Sequence, residues 1–214
     1  MELLSWFWDV VVHLDVHLAG FVAQHGVWVY GLLFAIVFCE TGLVVTPFLP
    51  GDSLLFVAGA VAAAGDMNIA ALIATLLAAA LCGDNCNYWI GRWAGMRLFG
   101  RWINPMYLQR THEFYERHGG KTIILARFVP IVRTYVPFVA GVGSMPYLRY
   151  LAFCVAGAVI WVGSLCTAGY FFGNIPVIRN NLTVVILAIV ALSISPGIIA
   201  WLNSRRVRSK PTSN

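Results

Sequence analysis

The sequence predicts an all-α polytopic membrane protein, an inverted repeat of a re-entrant hairpin and a transmembrane helix. An N-terminal amphipathic helix and an extra C-terminal transmembrane helix complete the prediction. The chain is 60% hydrophobic and 11% charged, whereas soluble domains are about half apolar and a quarter charged. Two apolar stretches are interrupted by prolines and by charges of one sign. At 214 residues we expect a single membrane domain.

Residues 1–25 alternate apolar and polar side chains at helical spacing, which predicts an interfacial helix. The segment contains no Lys or Arg, so it lacks the basic start of a signal peptide. His13 and His17 have the spacing of a two-histidine metal site, but no third ligand is in view. We therefore favour a polar interfacial face for both. Whether this segment crosses the membrane stays open.

Residues 27–64 predict a re-entrant hairpin. The apolar runs on either side of its centre hold 13 and 11 residues, while a spanning helix needs about 20. Pro47, Pro50 and Gly51 separate the runs, and proline within a helix removes a hydrogen bond and clashes with the preceding turn. Non-helical backbone at membrane depth is tolerated only where it is buried in protein or lines a cavity. The break therefore predicts a cavity.

Residues 68–91 form the first predicted span. Asp84 and Asn87 lie three positions apart near its far end and share a face. They are either supporting residues of a cavity or ordinary interfacial groups, and both interpretations stay open. Cys82 and Cys86 have a spacing sometimes used for metal, yet no second ligand pair lies nearby, so we expect no metal site.

The region 92–120 is basic and ends in a Gly-Gly pair, which predicts an amphipathic segment on the cytoplasmic side. Two later spans are predicted at 150–172 and 182–202. The tail at 203–214 is basic, so the positive-inside rule places the C-terminus in the cytoplasm.

The second re-entrant hairpin is predicted at 121–147. Arg127 and Arg133 lie on either side of its first break, and the hairpin breaks are assigned to three residues, Pro130, Pro137 and Gly141. A shift of 90 residues places the first break on the second. Charge orientation makes the two hairpins enter from opposite faces, the inverted-repeat pattern of transporters with a site near the midplane.

Four charges lie in the two hairpins: Glu40 and Asp52 in the first, Arg127 and Arg133 in the second. Each central charge costs about 2.5–3.5 kcal/mol on insertion, so four unpaired charges would cost roughly 10–14 kcal/mol. A domain's entire net stability is about 5–15 kcal/mol. The charges must therefore be paired, hydrated or balanced by a ligand. One interpretation is that the acids and arginines form structural ion pairs that hold the two hairpins together. We favour a functional site, because intramembrane ionisable residues are functional by default.

The chemistry of these charges suggests their roles. A planar guanidinium matches phosphate bidentately, so we expect Arg127 and Arg133 to bind the phosphate of a phosphomonoester. Burial favours the neutral form of a carboxyl group, so Glu40 and Asp52 are expected to exchange protons as the cavity opens to each face. The net charge of +5 suits an anionic membrane leaflet rather than nucleic acid. No cofactor is expected.

Three motifs carry a family resemblance: Glu40-Thr-Gly with Pro47-Phe-Leu-Pro-Gly-Asp52-Ser, Gly83-Asp-x-x-Asn87-Tyr-x-x-Gly-Arg92, and Arg127-Phe-x-Pro-x-x-Arg133-Thr. They resemble the DedA family, of the VTT or SNARE-associated superfamily, over nearly the whole chain. The resemblance implies a bacterial inner-membrane protein with two opposed re-entrant hairpins. It implies translocation of undecaprenyl phosphate, another polyprenyl phosphate or a related phospholipid in cell-envelope maintenance. It maps the family's essential acids onto Glu40 and Asp52, and its arginines onto Arg127 and Arg133.

A transporter, not an enzyme, is the preferred function, and alternatives stay open. A proton-coupled transporter of small molecules or ions would use the same charges. A lipid-phosphate-processing enzyme would need a nucleophile and a base near the arginines, and neither hairpin contains a histidine. A purely structural scaffold would need the charges only for pairing. The expected partners are a membrane lipid phosphate and protons, with a homo-oligomer left open.

Overall fold

The computed structural model describes residues 14–42, 51–65, 67–97 and 121–173, together with positions 175, 184 and 188. Every regular element within these residues is a helix. In chain order they are α1 (Leu14–His25), α2 (Trp28–Gly42), α3 (Gly51–Ala63), α4 (Ile69–Arg97), α5 (Lys121–Ala126), α6 (Pro130–Val142) and α7 (Tyr147–Gly173). For this part of the chain, the prediction of an all-α protein is confirmed.

Two of the helices are long and apolar enough to cross a membrane. The apolar length is 25 residues in α4 and 27 in α7, or about 38 and 40 Å at 1.5 Å per residue. Both exceed a hydrocarbon core of about 30 Å. The helices α2 and α3 have 15 and 13 residues and reach only about 22 and 20 Å. The two long helices cover the spans predicted at 68–91 and 150–172.

Helix α3 is the buried centre of the fold. Eleven of its 13 residues are buried, as expected for a helix that is apolar on all sides. Its most extensive contact is with α7, while α4 packs against both α2 and α6. Both hairpin regions are therefore held by the two long helices.

Glycines bring α3 and α7 unusually close together. A Cβ atom at Gly59 would collide with the carbonyl oxygen of Cys166, and one at Gly169 would collide with that of Phe56. Small residues permit this approach, which is a common device between membrane helices. The contact fixes how α7 is turned toward α3.

The same arrangement recurs between α4 and α6. A Cβ atom at Gly141 would collide with the carbonyl oxygen of Tyr88, and one at Gly91 would collide with that of Phe138. Both interfaces use the sequence Phe-Val-Ala-Gly, at 56–59 in α3 and at 138–141 in α6. The repeated tetrapeptide thus makes equivalent contacts in each half.

The structure corrects two of the assigned hairpin breaks. Helix α5 ends at Ala126 and α6 begins at Pro130, where the missing N–H of proline is harmless in a first turn. Helix α6 then runs through Pro137 and Gly141, so assigning breaks to these two residues was wrong. Proline inside a membrane helix is tolerated where neighbouring groups satisfy the backbone. Gly141 serves close packing instead.

Several sequence predictions lie outside the described residues. They include Pro47 and Pro50 of the first break, residues 1–13 of the interfacial helix, and most of the basic segment 92–120. They also include the third predicted span at 182–202, apart from positions 184 and 188, and the tail at 203–214.

Candidate functional site

One arginine of the second hairpin region meets both acids of the first. Glu40 lies in the last turn of α2 and Asp52 in the first turn of α3. Arg133 of α6 donates through Nη1 to Asp52 Oδ1 at 2.9 Å and through Nη2 to Glu40 Oε1. Glu40 and Arg133 are buried, and the Asp52 side chain is 20% exposed. The segments on the two sides of the first break are thus joined through one guanidinium.

Gly51 leaves room at this junction for the side chain of Glu40. A Cβ atom at Gly51 would collide with the carboxylate of Glu40. The residue begins α3 and is itself buried. Its role is therefore to let the Glu40 carboxylate lie against the start of α3, next to Arg133.

The second arginine has a different partner. Arg127 lies in the turn between α5 and α6, and its Nη1 donates to Asp84 Oδ2 at 2.6 Å. The thiol of Cys154 donates to the same oxygen at 3.2 Å, and Tyr150 donates its hydroxyl to the main-chain oxygen of Asp84 at 2.9 Å. Asp84 and Arg127 are both buried. Asp84 therefore borders the cavity, as one of its two interpretations predicts.

Asn87 ties the two hairpin regions together. Its side-chain nitrogen donates to the main-chain oxygen of Thr41 at 3.3 Å and to that of Thr134 at 2.6 Å. Thr41 belongs to α2 and Thr134 to α6. Asn87 is fully buried. Because Thr41 and Thr134 directly follow Glu40 and Arg133, this bridge from α4 fixes the positions of these two residues relative to each other.

Trp161 of α7 connects the two arginines. Its ring centroid lies 4.4 Å from the Arg133 Cζ atom and 5.4 Å from that of Arg127, within the range of cation–π attraction. Its indole N–H donates to Asp52 Oδ1 at 2.9 Å. Trp161 thus contacts one acid and both guanidinium groups from a buried position.

The sequence reasoning missed the contribution of α7. Tyr150, Cys154 and Trp161 recur at positions i, i+4 and i+11, which places them on one helical face. Tryptophan in a membrane helix normally marks the interface, and Trp161 lies in the middle of α7 instead. The central position of Trp161 was the signal in the sequence that this residue belongs to a site. Because the span contains no charged residue, no site residue was predicted in it.

A small cavity lies between the two arginines. It has room for about one water molecule and is bordered by Arg127, Arg133, Asp84, Cys154 and Trp161, with Thr41, Thr134 and apolar side chains around them. Nε and Nη2 of Arg127 and Nε of Arg133 are buried, and none has a hydrogen-bond partner among the described residues. Unpartnered buried donors are costly. These donors therefore need a polar partner.

No group of three metal-ligating side chains is arranged around a common point in the described part of the chain. Cys82 and Cys86 lie on an exposed face of α4. Each acid of the site contacts an arginine.

The VTT domain model matches residues 49–171, more than half of the chain. Protein DedA of Escherichia coli strain K12 is 53% identical over 216 aligned residues, covering 98% of this chain and 99% of that protein. The chain belongs to the DedA family. More distant DedA-family relatives include an uncharacterized membrane protein of Mycobacterium tuberculosis H37Rv, 42% identical over 82% of this chain and 80% of that protein. Inner membrane protein YqjA of Escherichia coli K12 is 38% identical over 69% of each. No solved structure matches the chain significantly.

The VTT match contains nearly the whole site of this DedA-family chain. Asp52, Asp84, Arg127, Arg133 and Trp161 all lie within 49–171, whereas Glu40 precedes the match. The Asp84–Arg127 pair and the tryptophan between the arginines are thus parts of the matched domain itself.

Proposed function

We propose that the chain is a transporter that moves a lipid phosphate across the bacterial inner membrane. Undecaprenyl phosphate, another polyprenyl phosphate or a related phospholipid is the proposed substrate, and cell-envelope maintenance the role. The observation that carries this proposal is the cavity bordered by Arg127 and Arg133, where three guanidinium donors have no hydrogen-bond partner among the described residues. Guanidinium groups bind phosphate bidentately, and a phosphomonoester carries about −1.5 to −2 charge.

Glu40 and Asp52 are the proposed proton-coupling residues. Both bond to Arg133 in the structure. Protonation of either carboxylate weakens its hold on the guanidinium, which then turns toward the phosphate. In this scheme the acids compete with the substrate for the same cation. Proton entry and phosphate binding are therefore coupled through Arg133.

Two opposed re-entrant hairpins form the proposed framework. Helices α2 and α3 are each too short to span the bilayer, and so are α5 and α6. The matching Phe-Val-Ala-Gly contacts support an inverted repeat whose equivalent positions lie 138 − 56 = 82 residues apart, rather than 90. We place this repeat within a single multi-pass membrane domain, with the basic C-terminal tail in the cytoplasm.

A transporter fits the site better than a phosphatase. The described residues around the cavity include no histidine that could act as a general base. The thiol of Cys154 donates to Asp84 from a buried position and lies beside a carboxylate, which disfavours the reactive thiolate. The inner-membrane location is supported by the relative YqjA of Escherichia coli, an inner membrane protein.

The test is transport by the purified protein in liposomes. A fluorescent polyprenyl phosphate is incorporated, and the fraction reaching the opposite leaflet is measured by chemical quenching from outside. Wild-type protein should accelerate the movement, and Arg127→Gln and Arg133→Gln should abolish the acceleration. Arg149→Gln is the matched control, because Arg149 is exposed, and it should transport normally.

Two outcomes would contradict the proposal. Transport that persists when both Arg127 and Arg133 are replaced would exclude phosphate binding by these residues. Release of inorganic phosphate from the probe by wild-type protein would identify an enzyme instead. A pH gradient imposed across the same liposomes tests the coupling, because a proton-coupled transporter should respond to its direction.

A further inference from the structure

We propose that Asp84 is a third proton-carrying carboxyl group of the site, and that binding of a lipid phosphate at Arg127 takes up a proton there. The inference deepens the proposed function and rests on it. It assigns Arg133 and Arg127 to separate acidic partners. A phosphate that bridges the two arginines then competes with the carboxylates of both.

The balance of charge among the side chains of the site motivates the proposal. Three carboxyl groups, those of Glu40, Asp52 and Asp84, face two guanidinium groups. With all five ionised, their sum is 2 − 3 = −1. A phosphomonoester would add further negative charge in a buried position, where uncompensated charge is costly. Proton uptake by the carboxyl groups is the compensation available within the site.

The contacts of Asp84 identify it as one acceptor of that proton. Its described carboxylate contacts are Arg127 and the Cys154 thiol, both on Oδ2, and a thiol is a weak donor. The hydroxyl of Tyr150 donates to the main-chain oxygen of Asp84 rather than to its carboxylate. If Arg127 turns its donors to a phosphate, the Cys154 thiol is the hydrogen-bond donor that remains on the Asp84 carboxylate among the described contacts.

The proton transfer itself is simple. A proton from the aqueous phase reaches the cavity and adds to the Asp84 carboxylate, giving a neutral carboxylic acid. Arg127 keeps its charge, and Cys154 keeps its proton. When phosphate leaves, Arg127 returns to Asp84 and the proton is released. One proton is thereby taken up each time phosphate binds at Arg127 and released each time it leaves.

Other ionisable groups lie near Asp84 on its own helix and on the neighbouring elements. Those on neighbouring elements are Arg127 in the turn before α6, Cys154 and Tyr150 on α7, Arg133 on α6, Glu40 on α2 and Asp52 on α3. Tyr88 and Arg92 follow Asp84 on α4, and the Arg92 Nη1 donates to the Tyr88 hydroxyl at 3.1 Å. Glu40 and Asp52 pair with Arg133 and not with Arg127. Both are kept in Asp84→Asn, so comparison with that variant isolates the proton of Asp84.

The experiment counts protons on binding of farnesyl phosphate to the full chain in nanodiscs. Isothermal titration calorimetry in buffers of different ionisation enthalpy gives the number of protons taken up. Wild-type protein should take up more protons than Asp84→Asn, by up to one. Its dissociation constant should also rise more steeply with pH, by up to about tenfold per pH unit. The ionisation of the probe cancels in this comparison.

Asn85→Ala is the matched control on the same helix. Asn85 donates to the oxygen of Leu81 and accepts from the Tyr147 hydroxyl, so the change removes hydrogen bonds and no charge. It should take up the wild-type number of protons. If wild type and Asp84→Asn both bind farnesyl phosphate and take up the same number of protons, the role of Asp84 is overturned while the proposed function stands. Failure of wild type to bind farnesyl phosphate overturns both this inference and the proposed function.

A second measurement avoids replacing Asp84. Infrared difference spectra of wild-type protein with and without farnesyl phosphate should show the band of a newly protonated carboxyl group. Cys154→Ala removes the thiol that contacts Asp84, so this band should move in that variant. The proposal is contradicted if the wild-type spectrum lacks this band. It is also contradicted if the band has the same position in Cys154→Ala.

Discussion

Replacement of Trp161 by phenylalanine tests the connection between the arginines. Phenylalanine keeps an aromatic ring beside Arg127 and Arg133 but lacks the N–H that bonds Asp52 at 2.9 Å. A hydrogen bond to a charged group contributes about 1.5–3 kcal/mol. Since a chain of this size loses about 2–4 °C of Tm per kcal/mol, Trp161→Phe should melt about 3–12 °C below wild type.

Trp161→Leu separates the ring from the hydrogen bond. It removes the N–H and also the aromatic face that lies near both guanidinium groups. Each cation–π contact contributes about 0.5–2 kcal/mol, depending on exposure. The leucine variant should therefore melt clearly below the phenylalanine variant.

The assay is thermal unfolding of purified protein in detergent, with the native fraction followed by size-exclusion chromatography. Trp89→Phe is the matched control, because Trp89 is 53% exposed and exposed substitutions usually change stability by less than about 0.5 kcal/mol. Equal melting temperatures for Trp161→Phe and wild type would refute the hydrogen-bond argument. Equal temperatures for the phenylalanine and leucine variants would refute the cation–π argument.

Three further predictions concern packing and pairing, each measured by the same unfolding assay. Gly59→Ala should destabilise the protein by about 1–3 kcal/mol, because its Cβ atom meets a carbonyl oxygen of α7, whereas Gly163→Ala, with open space around it, should not. Arg127→Gln should cost about 3–5 kcal/mol, because it leaves the buried Asp84 carboxylate without its cation, whereas Arg149→Gln at an exposed position should leave Tm nearly unchanged. Tyr88→Phe should cost about 0.5–1.5 kcal/mol, because its hydroxyl donates to a main-chain oxygen at 2.6 Å; an unchanged Tm would contradict that estimate.

Much of the framework follows from local properties of the chain. Apolar runs of 13 and 11 residues are too short to span wherever they lie, and the charge-poor segments of α4 and α7 are long enough. The positions of Glu40, Asp52, Arg127 and Arg133 beside breaks are equally visible in the sequence. Proline was a less reliable guide, because α6 continues through Pro137.

The sequence by itself therefore determined the class of protein, the helical segments and the residues whose charge demands a partner. The tertiary structure decided the partners. Arg133 meets two acids and Arg127 meets Asp84, because glycine contacts at Gly59 and Gly141 fix how the long helices are rotated against the short ones. Side chains far apart in sequence share a cavity only after those rotations are set, and no local pattern encodes them.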